Sequence, residues 1–469
     1  MTPPPPPPPP PRSSIRFISD CFVKPPQLPD GSDHPLHLPP WDLAMLSVHY
    51  IQKGLLFPLP PRCLDPEFDR PAFIRSFLEK LKRSLSSTLF HFYPLAGRLA
   101  TLKRTDPPFY TVFVDCANGP GARLIHAALD MTMADVLSPT YVPDVVQSFF
   151  DHDRAINHDG HTLSLLSVQV TELADGVFIG LSMNHTIGDG TSFWLFFNSW
   201  SKIFQAQEKG AVDVVQLSRP PVLTRWFPEN HPGPLSLPYT DDPSSFLARY
   251  EAPDLKERVF HFSADAIAVL KAEANRQCGT TNISSFQSLT ALVWRCITRA
   301  RRFPPSQVTG CRMAASNRAR LDPPLSPEYF GNSITPLRTA ATVGELLGGG
   351  LGWAARLLHE AVADHKNAKL REWNEDWIKN PQVYHLDKTF DPYSIMMGSS
   401  PRFDKYGNEF GLGKAVALRS GYANKFDGKV SGYPGHEGGG SIDLEICLTP
   451  ATMALLEADP EFKAAATVS

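Results

Sequence analysis

Cysteine is sparse and shows no pairing pattern. The seven residues Cys21, Cys63, Cys116, Cys278, Cys296, Cys311 and Cys447 include no C-x-x-C pair and are odd in number, which excludes both a disulfide framework and a zinc knuckle. They read as thiols of a reducing compartment. Long apolar runs are missing as well: none reaches about 18 residues, so no membrane-spanning helix is expected. The opening MTPPPPPPPPPRSS has no apolar core of a secretory signal, and the closing ATVS carries no peroxisomal or retention address. Cytosol is the expected location. Charge of one sign is also lacking, since 45 Lys and Arg stand against 48 Asp and Glu, and this argues against nucleic acid as a partner. A small molecule or a protein is the expected ligand. No fixed-period repeat occurs, and no G-x-S-x-G turn offers a serine nucleophile. The stretch GELLGGGLGW around Gly348 lacks the strand and helix context of a dinucleotide site and reads as a loose helix start.

What is present is hydrophobic patterning enough for a large core. At 469 residues and 42% hydrophobic, the chain exceeds the roughly 250 to 300 residues at which a single core stops growing, so two domains are expected. Strand-like alternation marks IRFISDCFVKP, YTVFVDC, LSLLSVQVTEL and GVFIGLSMNH. Helical spacing marks PAFIRSFLEKLKRSLSSTLFHF and TSFWLFFNSWSKIFQAQEKG. Beyond a proline-rich stretch, ERVFHFSADAIAVLKAEANRQ predicts a strand and then a helix capped by Ser263, and NISSFQSLTALVWRCITRARR a capped helix with a basic end. SIDLEICLTPATMALLEADPEF predicts a strand and a helix with Pro450 in its first turn. The reading is α/β. A proline-rich tail covers 1–14, one domain 15–211, a crossover loop 212–243 and a second domain 244–469. The tail reads as extended polyproline, with SH3-like docking as a lesser alternative.

One stretch carries candidate chemistry. In LSMNHTIGDGTSFW, His185 closes a strand of buried residue types and Asp189 follows four residues later. Gly188 and Gly190 are read as permitting a sharp turn. A neutral imidazole there has the basicity to take a proton from a hydroxyl or amine near pH 7. On this stretch alone, a hydrogen-bonded structural histidine is the more ordinary reading. DHDRAINHDGH, with His152, His158 and His161, matches no zinc spacing, so no metal is expected. GHEGGGS, Gly435 to Ser441, reads as a flexible hairpin before the last strand.

The ordered set FYPLAGRL, NHTIGDG, SNRARLDPPLSPEYFGN and EFGLGKA resembles the plant BAHD acyl-CoA-dependent acyltransferases, whose signatures are H-x-x-x-D and D-F-G-W-G. The resemblance runs from about Ile15 to the end. It implies two similar domains of the chloramphenicol acetyltransferase type, each a mixed sheet with helices, with a solvent channel between them. It further implies that His185 is the catalytic base at mid-channel, with Asp189, Arg318 and Gly190 supporting the site: Asp189 pointing away from the substrate and pairing with Arg318. The second signature is altered, Glu409 standing for Asp, Leu412 for Trp and Ala415 for Pro, while Phe410, Gly411, Gly413 and Lys414 keep their places. A glutamate retains the charge for an ion pair, and the loop is expected to shape the coenzyme A side. Ser284, Ser285, Lys414 and Leu412 are the candidate coenzyme A contacts, with Arg312 a weaker one; Ser284 serves equally well as a helix cap.

The function so implied is transfer of an acyl group from acyl-CoA, a co-substrate rather than a bound cofactor, to a hydroxyl or amine of a plant specialised metabolite. No acyl-enzyme forms, and the protein is expected to be a monomer. Two rivals stand beside it. MGSSPRF and NKFDGKVSGYPG resemble a subgroup related to a lyase of salicylate biosynthesis that cleaves an isochorismate-derived glutamate conjugate without coenzyme A, although that lyase type lacks the motif histidine. The other rival is a non-catalytic binding protein of the same fold.

Overall fold

The computed structural model describes residues 14–32, 34–106, 108–211, 214–231, 233–238, 246–389 and 391–466. The proline run, and parts of the expected crossover, lie outside these residues. The strands form two six-stranded sheets and one of three strands. In the first sheet the order is Arg16–Val23, Ala122–Ala128, Leu166–Glu172, Gly176–Met183, Ile51–Pro58 and Ala417–Ser420. All its pairings are antiparallel except that of Ala122–Ala128 with Leu166–Glu172. The second sheet runs Ile334–Thr342, Val308–Ser316, Ile395–Gly398, Lys429–Pro434, Ile442–Leu448 and Lys256–Phe262. Its central strands pair in parallel and its outer ones antiparallel. Each half is thus a mixed sheet covered by helices, the arrangement that lets an amphipathic helix bury its apolar stripe.

The strand Gly176–Met183 is buried at every position, because the helices Arg70–His91 and Gly190–Glu208 pack together in the core that also holds its Val177, Ile179 and Leu181. A continuous apolar run therefore replaces alternation. Gly190–Glu208 buries Phe193, Trp194, Phe196, Phe197, Trp200, Ile203 and Phe204, and Gly210, with φ +92°, follows its C-cap Lys209, where a left-handed residue ends a helix. In the second half, Ala264–Cys278, Ser285–Arg301 and Gly350–Ala363 pack against one another. Ser263 caps the first of these through its hydroxyl. Around Gly348 the chain forms two successive helices, Val343–Gly348 and Gly350–Ala363. The glycine stretch 435–441 turns the hairpin between Lys429–Pro434 and Ile442–Leu448.

One strand departs from a simple division at the crossover. Ala417–Ser420 leaves the second half and closes the edge of the first sheet, pairing with Ile51–Pro58. Its loop is anchored there by Phe410, which is fully buried against Trp200 at 4.7 Å between ring centroids and against Phe57, Phe197 and Phe204. Burial of a large ring in an existing aromatic cluster outweighs proximity along the chain.

Candidate active site

His185 sits in the turn that joins the strand Gly176–Met183 to the helix Gly190–Glu208. Three asparagines and an arginine fix that turn. The His185 backbone N–H donates to Asn157 Oδ1 at 2.7 Å, and Asn157 Nδ2 donates to the Met45 carbonyl at 2.7 Å. Asn184 Nδ2 donates to the Asn157 carbonyl at 2.8 Å, and its Oδ1 accepts from the Thr186 hydroxyl at 2.6 Å. Arg225 donates through Nη2 to the Ile187 carbonyl at 2.8 Å.

Asn332 decides the state of the imidazole. Its Nδ2 donates to Asp42 Oδ1 at 2.8 Å and to the His185 carbonyl at 2.7 Å, which identifies the other amide atom as the acceptor. That Oδ1 lies 3.1 Å from His185 Nδ1. The proton of a neutral imidazole therefore resides on Nδ1, and Nε2 keeps its lone pair. Among the described residues Nε2 has no hydrogen-bond partner. Burial is the leading influence on the ring and holds it below the usual imidazole range, against the Asp189 charge and the Asn332 hydrogen bond, which pull upward. The ring is thus neutral near pH 7, as proton abstraction requires.

Asp189 makes no hydrogen bond to the imidazole among the described residues and sits instead in a buried network. It caps the helix by accepting from the N–H groups of Thr191 and Ser192 at 3.0 and 3.1 Å, and it accepts from Ser333 N–H at 3.0 Å. Arg318 grips it with two bonds of 2.7 and 2.9 Å. Burial alone would raise this carboxyl, but Arg318 and the backbone donors outweigh it and hold the group below the usual carboxylate range. Arg318 Nη2 also donates to the carbonyls of Tyr329 and Gly331, both at 3.1 Å. The motif turn is thereby bolted to the segment 329–333 of the second half.

The glycines work differently from the sequence reading. Neither Gly188 nor Gly190 adopts a positive φ, so the turn does not depend on their conformational freedom. At Gly188 a Cβ would lie 2.5 Å from Ser192 Cβ, so close packing excludes a side chain. Gly190 borders the cavity beneath the Phe403 ring.

That cavity, with a volume of about 360 Å³, lies between the two halves. His185, Thr191 and Trp194 come to it from the first; Ser316, Phe403 and Lys429 from the second. Of the other candidates, Ser284 spends its hydroxyl on the cap of Ser285–Arg301, accepting from Gln287 N–H at 3.2 Å, and Ser285 begins that helix. Lys414 is exposed. Leu412 is buried in the core of the first half. None of these four borders the cavity. Glu409 forms no ion pair among the described residues; its backbone instead exchanges two hydrogen bonds with the Ser201 hydroxyl, at 2.8 and 3.0 Å. Gly411 and Gly413 take φ of +75° and +82°, which explains why glycine stands at both. Arg312 lies on the strand Val308–Ser316, 3.7 Å from Asp391.

The histidines of DHDRAINHDGH serve structure. His158 and His161 bond the hydroxyls of Tyr110 and Thr101 at 2.9 and 2.7 Å, and His152 bonds Ser164. Among the described residues no group of three or more metal-ligating side chains converges. Asn157, from the same stretch, is the residue there that holds the His185 backbone N–H; like Asn332, Asp42 and Arg225, it is not among the candidates that the sequence marks. Only Asn332 had a signal, as the end of EYFGN in a segment already singled out.

Two mixed α/β halves meeting at a cavity, with an imidazole on a strand-to-helix turn, define a two-domain transferase of the chloramphenicol acetyltransferase type. The chain belongs to the Transferase family, the BAHD acyltransferases, whose family model matches residues 13–463. It is 36% identical to an uncharacterized acetyltransferase of Arabidopsis thaliana, over 96% of this chain and 99% of that protein. It is 34% identical to BAHD acyltransferase DCR of the same plant, over 96% and 92%. Among solved structures, vinorine synthase matches with a TM-score of 0.70 at 19% identity, covering 97% and 99% of the two chains. F. graminearum TRI101, complexed with coenzyme A and T-2 mycotoxin, matches with a TM-score of 0.71 at 19% identity, covering 93% and 100%. No helix among the described residues is long and apolar enough to cross a membrane.

Proposed function

We propose that this acyltransferase moves an acyl group from a coenzyme A thioester to a hydroxyl or amine of a plant specialised metabolite, with His185 as the general base. The observation that carries the reading is the pinned Nδ1, bonded to Asn332 Oδ1 at 3.1 Å, which leaves Nε2 as the ring's proton acceptor in a residue bordering the cavity between the halves. Nε2 takes the acceptor's proton as its oxygen or nitrogen attacks the thioester carbonyl. The tetrahedral adduct then collapses, the carbon–sulfur bond breaks, and the proton passes from the imidazolium to the coenzyme A thiolate. Both substrates are bound together, so positioning supplies much of the rate and no acyl-enzyme is needed.

Asp189 and Arg318 hold the turn and do not relay protons. A fold neighbour that binds coenzyme A and a small acceptor supports the same pair of ligands here, with no resident cofactor or metal. The proposal extends to a cytosolic monomer of domains 15–211 and 244–469, in which Ser284, Ser285, Lys414 and the Leu412 loop flank the coenzyme A. The test is to incubate the pure protein with a panel of acyl-CoA thioesters and a plant metabolite extract, reading thiol release together with new product masses. His185→Ala should lower turnover by about a hundredfold or more. Retention of more than roughly a tenth of wild-type turnover would overturn the assignment. Cleavage of a metabolite without thiol release, and no binding of coenzyme A by calorimetry, would favour the lyase reading instead.

A further inference from the structure

One wall of the cavity gathers ammonium groups that no part of the mechanism above uses. Lys53, Lys425 and Lys429 border it, with Ser420, Ser431 and Glu445, and Lys405 lies fully buried behind them. Three of the four are accounted for. Lys425 forms an ion pair with Glu257. Lys405 donates to the Ser399 hydroxyl at 3.2 Å and to the Gly432 carbonyl at 3.3 Å, and lies 4.2 Å from the centre of the Tyr433 ring. Lys53 donates to the Tyr433 hydroxyl and feels the charge of Glu445, whose carboxylate also accepts from the Ser420 hydroxyl.

Lys429 is different. Among the described residues its Nζ has neither a hydrogen bond nor a carboxylate within 4.0 Å, only the Phe426 ring at 5.9 Å from its centre; the side chain is partly exposed and borders the cavity. A Cβ at Gly398 would overlap that Nζ, so the missing side chain makes room for the ammonium. Burial, and then Lys53, bring Lys429 down to about 8, so it remains largely charged at neutral pH. Burial and the neighbouring Lys53 push Lys405 well below the usual lysine range, and Lys425 is paired with Glu257, so Lys53 and Lys429 are the two lysines that face the single carboxylate of Glu445 at this wall. An unpaired buried cation is costly and is retained where a ligand completes it. The phosphates of coenzyme A are kept remote from the reacting carbonyl by its long pantetheine arm, so they do not fill this place.

We propose that the substrate held beside His185 carries a carboxylate, which pairs with Lys429 and is flanked by Lys53. The inference rests on the proposed use of the cavity as the substrate site. The carboxylate belongs either to the acceptor or to a dicarboxylic acyl chain on the thioester.

The test does not depend on catalysis. Wild-type protein is mixed with a plant metabolite extract, with the same extract after esterification of its carboxyl groups, and separately with malonyl-CoA and acetyl-CoA. Compounds retained on ultrafiltration are identified by mass spectrometry. Carboxylic acids should be retained from the untreated extract and lost on esterification, or malonyl-CoA should be held in preference to acetyl-CoA; the first result places the carboxylate on the acceptor and the second on the acyl chain. Lys429→Met should weaken that retention by about thirtyfold or more, and Lys429→Arg should keep most of it. Circular dichroism melting checks that both variants fold. Retention unchanged by esterification and by Lys429→Met, or retention of neutral compounds only or of none, with no preference for malonyl-CoA, overturns the proposal. His185→Ala should retain the same acids, and carboxylate binding by the wild-type protein without any acyl transfer would count against the proposed function alone.

Discussion

Arg318→Met is the perturbation that most directly separates a loop-holding Asp189 from a proton-relaying one. Methionine preserves much of the side-chain length and removes the charge. Lost are two charge-assisted hydrogen bonds to Asp189, at 2.7 and 2.9 Å, and two to the carbonyls of Tyr329 and Gly331. Asp189 is fully buried and Arg318 is 5% exposed, so solvent cannot replace the missing partner. Three backbone N–H groups remain on the carboxylate. Breaking a buried pair from one side costs about 3–5 kcal/mol. With an unfolding entropy of about 2 cal/mol/K per residue, a chain of 469 residues melting as one unit would lose about 4 °C, and about twice that if the first half melts alone. Adding Asp189→Asn should recover part of the loss, because no uncompensated charge then stays inside. Calorimetric melting and steady-state kinetics on the same preparations provide the assay. If Arg318→Met melts within a degree of wild type, the anchoring argument fails. If Asp189→Asn alone lowers kcat a hundredfold at an unchanged Tm, the carboxylate acts on the imidazole and not on the turn.

Further outcomes concern protonation and capping. The folded carboxyl of Asp189 lies below its ordinary value, so its contribution is present above about pH 4 and is lost as pH falls through the folded value; denaturation midpoints should be flat at neutral pH and drop in acid. Lys429 is among the charges that lower His185. Lys429→Met should therefore move the acid limb of kcat/KM, which reflects a ring depressed by burial, towards higher pH, and an unmoved limb would contradict this. Ser284→Ala removes a capping-box hydroxyl and should cost about 1 kcal/mol of stability. If it instead raises the KM for acyl-CoA with the melting temperature unchanged, the hydroxyl serves the nucleotide and not the helix.

The halves and most of their elements were readable because the signals are local. Phe193, Trp194, Phe197 and Trp200 recur at helical spacing, Ser263 and Ser284 stand where helix starts need hydroxyls, and the apolar run ending at Met183 is what a strand covered on both faces requires. The edge strand Ala417–Ser420 was not readable as part of the first sheet. Four residues carry little periodicity, and the anchor for its register is Phe410 packing on rings some 200 positions earlier.

At the site the same division holds. The residue types around position 185 already dictated a candidate base on a turn, since a histidine after a buried strand and an aspartate before an amphipathic helix are short-range facts. Which ring nitrogen carries the proton was decided by Asn332, 147 positions away, and the amide of Asn332 was in turn oriented by Asp42, 290 positions away. The unpaired ammonium of Lys429 is likewise visible only after folding. In the chain, Lys425 and Lys429 are two basic residues around Asp427. Their distinct roles arise because one meets Glu257 and the other, over the Phe426 ring with no carboxylate within 4.0 Å among the described residues, borders the cavity. Local propensity and pattern act over a few residues, whereas tautomer, charge pairing and cavity shape depend on groups that only the packing of the two halves brings together.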